Sequence, residues 1–287
     1  MINTRISIDI QNQLTISDAR NIYLNYLYSK CYKSKFNIFT NEYISNLSET
    51  QIVNIQKVLN WLEISDKDIL VNSTARIQNY SNIAETLLRK NKAFVEDNCI
   101  KLYIDTNLIG KKFHDFIRKK DYYITSSCLN TFKNIILIDS YGCPSNYFST
   151  VINDYINKIT HIITDSYHFK DSIQEIIIRY LCNYPVVRYG HLDFFSHEKE
   201  LLQLTDKTLA LKNYIGHNNS EEFMHLFAIS GWSAKDNYDP FNIAYTKEYL
   251  ENKLLFDGNL EHKNTTFNKE RIALYEKIYD QTVLLTP

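Results

Sequence analysis

Arg5 and Asp9 stand four residues apart at the start of the chain, in a run (residues 3–10) whose apolar and polar residues alternate as in a strand. A guanidinium beside a carboxylate has two uses: it can hold an incoming anion, or close on Asp9 as an internal ion pair. Both readings stay open. Ser17 and Asp18 follow, just ahead of a helical run, and either side chain can accept from the unpaired N–H groups of a helix start. An aspartate there occupies the positive end of the helix dipole, which makes the same terminus a poor seat for phosphate. His161 lies in an apolar strand and reads as a satisfied core histidine, whereas His191 and His197 flank a strand without metal-ligand spacing. Lys111-Lys112 and Arg118-Lys119-Lys120 form basic clusters in the middle of the chain, better read as a solvated loop than as an RNA contact.

Composition narrows the classes. A chain of 287 residues can bury one large or two ordinary cores, and its net charge of −1 supplies no overall field to attract RNA. Five widely spaced cysteines form no C-x-x-C pair, so they indicate neither zinc nor a disulfide framework, and idle thiols in a reducing cytosol are expected. No apolar run approaches the ~20 residues that span a bilayer, and no charged-then-apolar leader precedes residue 3. A cytoplasmic protein without a membrane partner is expected. Six glycines are few for a nucleotide-binding chain, because phosphate turns need glycine for close backbone approach. The 22 tyrosines and 15 phenylalanines read as core and compositional drift, not as a base-stacking platform.

The elements that must position these residues are legible in part. After the strand at 3–10 comes a helix to about Lys30, a short strand at Phe36–Phe39 and a helix over Leu47–Leu62. Alternation of strand and helix points to a parallel α/β sheet. Asn72–Asp97 has the periodicity of one amphipathic helix capped by Ser73 or Thr74, and Ile100–Ile104 and Asn134–Asp139 are the best strands beyond it.

Thr4 to Lys30, TRISIDIQNQLTISDARNIYLNYLYSK, resembles without a gap the opening strand-loop-helix of glutamyl-tRNA synthetases, through Arg5, Leu14, Ile16, Ala19, Arg20, Asn25, Leu27 and Tyr28. Gly142 to Leu181 is similar to a second family stretch, through Pro144, Phe148, Val151, Asp154, Ile159-Thr160-His161, Ile163 and His168, and Ser220 to Ser233 resembles a later family helix. The resemblance implies a class I, Rossmann-like α/β fold. It places a catalytic-type domain at residues 1–72 plus 142–200 and an inserted acceptor-binding-like subdomain at 73–141. A helical stem-contact-like segment follows at 201–287, with no anticodon-binding domain.

The family's chemistry is glutamate activation by ATP, and the resemblance locates its parts. At the first ATP signature stand Thr15, Ile16, Ser17 and Asp18, so the histidine is replaced by Thr15 and the bare glycine backbone by Ser17 and Asp18. At the second stand Gln203, Leu204, Thr205, Asp206 and Lys207, where Gln203 is neutral, Asp206 reverses a charge and Lys207 alone remains cationic. Losing such a clamp typically costs ~10²–10³ in rate per donor. The implied amino-acid pocket comprises Arg5, Ser7, Asp9, Asn146, Tyr147, Thr150, Thr164, Tyr167 and His168. Thr164 replaces an arginine, and Asn146 stands at the pocket tyrosine unless Tyr147 compensates. Glu42 is a stand-in for a displaced acidic residue.

The reading that follows is a synthetase-like pseudoenzyme that binds or regulates, with a tRNA, another protein or an amino-acid-like small molecule as candidate partner. The alternative is an active synthetase-derived enzyme with altered chemistry, such as a tRNA modifier, an amino-acid ligase or a glutamate–tRNA ligase. No metal and no cofactor are expected; ATP and Mg²⁺ enter only under the alternative.

Overall fold

The structure, a computed structural model, describes residues 2–8, 14–40, 49–64, 70–72, 77–193, 195–197, 200–201, 211–213, 215, 220–234, 247–253, 258–260 and 265–266. The first half runs β1 (Thr4–Ile8), α1 (Ile16–Cys31), β2 (Phe36–Thr40), α2 (Glu49–Trp61), β3 (Leu70–Asn72) and α3 (Ile77–Arg89). Next come β4 (Ala93–Glu96), β5 (Cys99–Leu102), β6 (Lys112–Asp115), β7 (Lys120–Tyr123), α4 (Ser126–Thr131) and β8 (Ile136–Ile138). The chain returns through α5 (Asn146–Ile156), β9 (His161–Asp165), α6 (Phe169–Cys182) and β10 (Arg188–Leu192). It continues as β11 (Phe195–His197), β12 (Glu200–Leu201), α7 (Ser220–Gly231), β13 (Trp232–Ala234), α8 (Lys247–Lys253), β14 (Gly258–Leu260) and β15 (Thr265–Thr266).

Seven strands form the main sheet in the order β3-β2-β1-β9-β10-β6-β7, parallel except for the edge hairpin β6–β7. Every residue of β2 is buried, as expected for a parallel strand covered on both faces. Alternation along β1 sends Ile6 and Ile8 to the α1 side and Arg5 and Ser7 to the opposite side, where α5 and α6 pack. On the α1 side Ile22, Leu24 and Leu27 meet Phe223, Phe227 and Leu250 of α7 and α8, so α1 is buried nearly all round.

Four expectations change. Neither Ser17 nor Asp18 is the helix cap: Thr15 is, with its hydroxyl accepting from the Asp18 N–H and the Asp18 carboxylate reaching back. The helix read over Asn72–Asp97 ends at Arg89, because Asn91 adopts positive φ and residues 93–102 turn back as the β4–β5 hairpin on Asp97 and Asn98, both with positive φ. Asp and Asn tolerate that conformation better than other non-glycine residues, which outweighs the amphipathic period. The basic stretch read as a solvated loop is in fact hairpin β6–β7, and it extends the main sheet from within residues 73–141, with Lys112 paired to Asp121 and lysines on the sheet edge. His191 lies within β10 rather than beside it. Ser73 and Thr74 fall outside the described residues.

The hairpin meets the sheet closely at Gly190. A Cβ there would come within 2.7 Å of Ile117 and Phe116 side-chain atoms, so only glycine lets that turn dock on β10.

Candidate functional site

The strand order reverses at β1. To one side lie β2 and β3, reached directly; to the other lies β9, reached after the long middle segment. In open parallel sheets such a switch leaves a crevice outside the carboxyl ends of the two diverging strands. Here the described pairing of β1 with β9 is confined to Thr4 and His161. Beyond it Asn25 of α1 takes over, its amide donating to the Ile163 carbonyl at 2.6 Å and accepting from the Ile163 N–H at 3.0 Å. A side chain thus does what the neighbouring strand would have done, and the strands are free to part. Continuing the Thr4–His161 register puts Ser7 level with Thr164, on the same face as Arg5 and half-buried. Arg5 and Thr164 therefore share one face of adjacent strands.

Above that face, α5 and α6 meet along a polar seam. Tyr147, Thr150 and Asp154 recur at helical spacing on α5, and Asp171, Glu175 and Arg179 do so on α6. Asp154 and Arg179 form the base, joined by a short Arg179 Nη2–Asp154 Oδ2 ion pair. Arg5 reaches in from β1, with Nε 3.0 Å from Asp154 Oδ1, Nη2 2.7 Å from Glu175 Oε2 and Nη1 2.9 Å from Ser7 Oγ. Tyr189 of β10 donates to the same Glu175 oxygen at 2.5 Å. Burial alone would lower the Arg5 and Arg179 pKa values, but Asp154 and Glu175 outweigh it at Arg5, and Tyr189 with the same carboxylates outweighs it at Arg179, so both lie above the ordinary range. Burial raises the Glu175 pKa, against the pull of Arg5. The internal partner of Arg5 is therefore a pair of distant carboxylates and a serine; Asp9, the partner read locally, lies outside the described residues.

The mouth of the seam is built from the start of α6. Tyr147 donates to Asp171 Oδ1 at 2.8 Å, and His168 Nδ1 lies 2.9 Å from Asp171 Oδ2. Burial would lower the His168 pKa, but the Asp171 hydrogen bond with Asp165 and Asp18 nearby carries it up to about 9. Asp171 is pushed up by burial and pulled further down by His168 and Tyr147, ending below the ordinary carboxylate range. Asn146 and Tyr167 are exposed at the rim, while Thr150 is buried between mouth and base.

On the α1 side the crevice is closed differently. Asp18 Oδ2 accepts from Thr15 N at 2.7 Å and Thr15 Oγ1 at 2.8 Å, while Thr15 Oγ1 accepts from Asp18 N at 3.2 Å. This capping box uses the helix's first free donors on its own side chains. Burial raises the Asp18 pKa, and Ser17 is buried beside it. Glu42, Gln203, Thr205, Asp206 and Lys207 lie outside the described residues.

The seam brings together Arg5, Ser7, Tyr147, Thr150, Thr164 and His168 from the sequence-derived set. Asp171, Glu175, Arg179 and Tyr189 were not in it; the acid-acid-base recurrence at steps of four along residues 171–179 is the signal that marks them. His161 is a core histidine, packed on Tyr28 and Phe116 and lowered by burial to about 4. His191 is sealed between Asp115, 2.7 Å from its Nδ1, and Ser172, 2.9 Å from its Nε2. Among the described residues no group of three His, Cys, Asp or Glu could hold a metal ion, and no helix is long and apolar enough to cross a membrane.

Residues 1–101 match the family model of class I tRNA synthetases (E and Q), catalytic domain. The chain is 27% identical over 193 residues to a glutamate–tRNA ligase of Ureaplasma urealyticum, covering 65% of this chain and 38% of that protein. It is 23% identical to one of Mesomycoplasma hyopneumoniae, covering 97% of this chain and 69% of that one. The fold is also that of a glutamate tRNA ligase from Elizabethkingia meningosepticum crystallised with its amino acid, with a TM-score of 0.77, 14% identity, and coverage of 98% of this chain and 70% of that one. Residues 1–101 are thus similar to a class I glutamyl/glutaminyl-tRNA synthetase catalytic domain, and the chain's Rossmann-like sheet has the fold of a glutamate tRNA ligase. In the first of these relatives it spans well under half the length.

Proposed function

We propose that this chain is a glutamyl-tRNA synthetase-like pseudoenzyme, unable to activate glutamate with ATP, that acts as a binding or regulatory protein. The observation that carries this is the Thr15–Asp18 capping box. A helix start that would receive a triphosphate instead satisfies its own donors and holds a half-buried carboxylate. Like charge repels phosphate there, and neither Thr15 nor Asp18 can supply the positive charge a developing phosphoryl transition state needs. The residues present do not fit ATP, and Gln203 and Asp206 offer no second clamp. Arg5, the remaining anion-binding group, already faces Asp154 and Glu175. A tRNA or a protein is the partner class this reading implies, with a small molecule in the crevice as ligand.

A second reading, an active synthetase-derived tRNA modifier or amino-acid ligase, draws support from the crevice itself, which keeps a half-exposed His168 with a pKa of about 9. Glutamate-dependent ATP–pyrophosphate exchange, with and without bulk tRNA, separates the two. No exchange above background is expected. Robust exchange that Thr164→Trp abolishes would overturn the pseudoenzyme reading and promote the second.

A further inference from the structure

Every described hydrogen bond of Glu175 runs through one oxygen. Oε2 takes both Arg5 Nη2 and the Tyr189 hydroxyl, while Oε1 takes no partner and is not among the sealed polar atoms. The residue is more than nine-tenths buried, yet its side chain keeps 10% of its surface open, so Oε1 is its accessible acceptor. One helical turn nearer the mouth on the same face of α6 stands Asp171, half-exposed, with His168 already committed to it. The donors of Arg5 are used on Asp154, Glu175 Oε2 and Ser7, and the terminal nitrogens of Arg179 on Asp154 and the Pro185 carbonyl, while Arg179 Nε is buried and does not reach Oε1.

Arg5 meets one oxygen of this buried carboxylate, and the other, Oε1, stays open and without a donor, where a second charge-assisted hydrogen bond can form. We propose that the crevice takes a cation, the ammonium group of a small amine or basic amino acid, with Glu175 Oε1 as the recognising oxygen and Asp171 as the second acid at the mouth. Glu175 is then a specificity-determining residue. It accepts an ammonium, and it turns away a dicarboxylate by occupying Arg5 with an internal carboxylate. The raised pKa of Glu175 agrees with this, since a bound ammonium would restore the ionised form that burial disfavours. The inference rests on the reading of the crevice as a binding site given above and names its ligand class.

The test is a chemical-shift titration of the full chain with four probes: L-lysine, L-glutamate, n-butylamine and n-butanol. Lysine is expected to bind at least tenfold more tightly than glutamate, and butylamine to shift crevice resonances that butanol leaves unmoved. Glu175→Gln should lose about tenfold in lysine affinity. Because that variant disturbs a buried ion network, Thr164→Arg serves as the independent arm. It places a guanidinium in the crevice from a half-buried position and should abolish lysine binding without touching Arg5. Equal or tighter glutamate binding, no lysine binding, or unchanged lysine affinity in a folded Glu175→Gln or Thr164→Arg chain each overturns the proposal. None of these readouts involves ATP. Pyrophosphate exchange with preserved lysine preference would therefore break only the pseudoenzyme reading.

Discussion

The base and the mouth of the α5/α6 seam are made of the same kinds of residue and behave in opposite ways. At the base, Arg5 and Arg179 enclose Asp154, whose side chain is fully buried, so each charge depends on the others. At the mouth, Asp171 serves His168 and Tyr147 while all three remain within reach of water. Water can replace a lost partner at the mouth and cannot at the base. One seam therefore holds a structural core of charges and, a turn or two away, groups free to meet a ligand. What separates them is depth, not chemistry.

The comparison breaks most easily at the two aspartates. Asp154→Ala leaves two buried guanidiniums without their carboxylate and should destabilise the chain by ~3–5 kcal/mol, the cost of breaking a buried pair from one side. Asp171→Ala removes a carboxylate of the same chemistry where solvent screens the loss, and should cost within about 1 kcal/mol. Urea unfolding of both variants decides it. Similar losses for the two would mean that the mouth is as sealed as the base and has no room for a ligand.

The cap of α1 makes a smaller, local contribution. Thr15→Ala removes the hydroxyl that accepts from Asp18 N and should lower stability by about 1 kcal/mol, the usual cost of losing a helix N-cap. Asp18→Asn keeps an acceptor and removes the charge. Burial raises the Asp18 pKa above its unfolded value, so the ionised form is disfavoured in the folded chain and stability is lost as pH rises through the folded pKa. The Asn variant should gain on wild type over that rise and match it below. A variant that loses ground at neutral pH would show that the capping charge is favourable on balance.

How much of this was legible depended on distance along the chain. The β1-α1-β2-α2 order is local, written in apolar runs and a helix cap, and it emerged with only the cap misplaced by two or three residues. The edge strands β6 and β7 escaped because KFHD buries only Phe113 and Asp115 and KDYY is exposed apart from a half-buried Tyr122, so their lysines read as a charged loop. In the site, Arg5 was visible but its partners were not. Asp154 and Glu175 lie 149 and 170 residues away, whereas Asp9 lies nearby, and local reasoning favours the neighbour. Burial decides which carboxylate meets a buried arginine, and no periodicity in residues 3–10 encodes that. The loss of the first ATP signature was legible residue by residue; its replacement by a reciprocal Thr15–Asp18 cap required the backbone.

The smallest expected effect probes the mouth alone. The His168 ring has a folded pKa of about 9 against an ordinary value of 6.5, held up by Asp171, Asp165 and Asp18 against the burial that would lower it. A raised histidine pKa means that the folded state favours the proton. The stabilisation is fully present below pH 6.5 and declines as pH rises through about 9. Because the ring is half-exposed, screening should confine the effect to about 1 kcal/mol or less. His168→Gln should flatten the stability profile between those limits, losing the full increment below pH 6 and matching wild type well above pH 9. A proton NMR titration gives the sharper measure. The ring midpoint should fall substantially in Asp171→Asn, which removes the hydrogen-bonded charge, and less in Asp18→Asn, which acts from further away. A wild-type midpoint near 6.5 would mean that water, not Asp171, sets the state of this ring, and the mouth would then carry no fixed charge to orient a ligand.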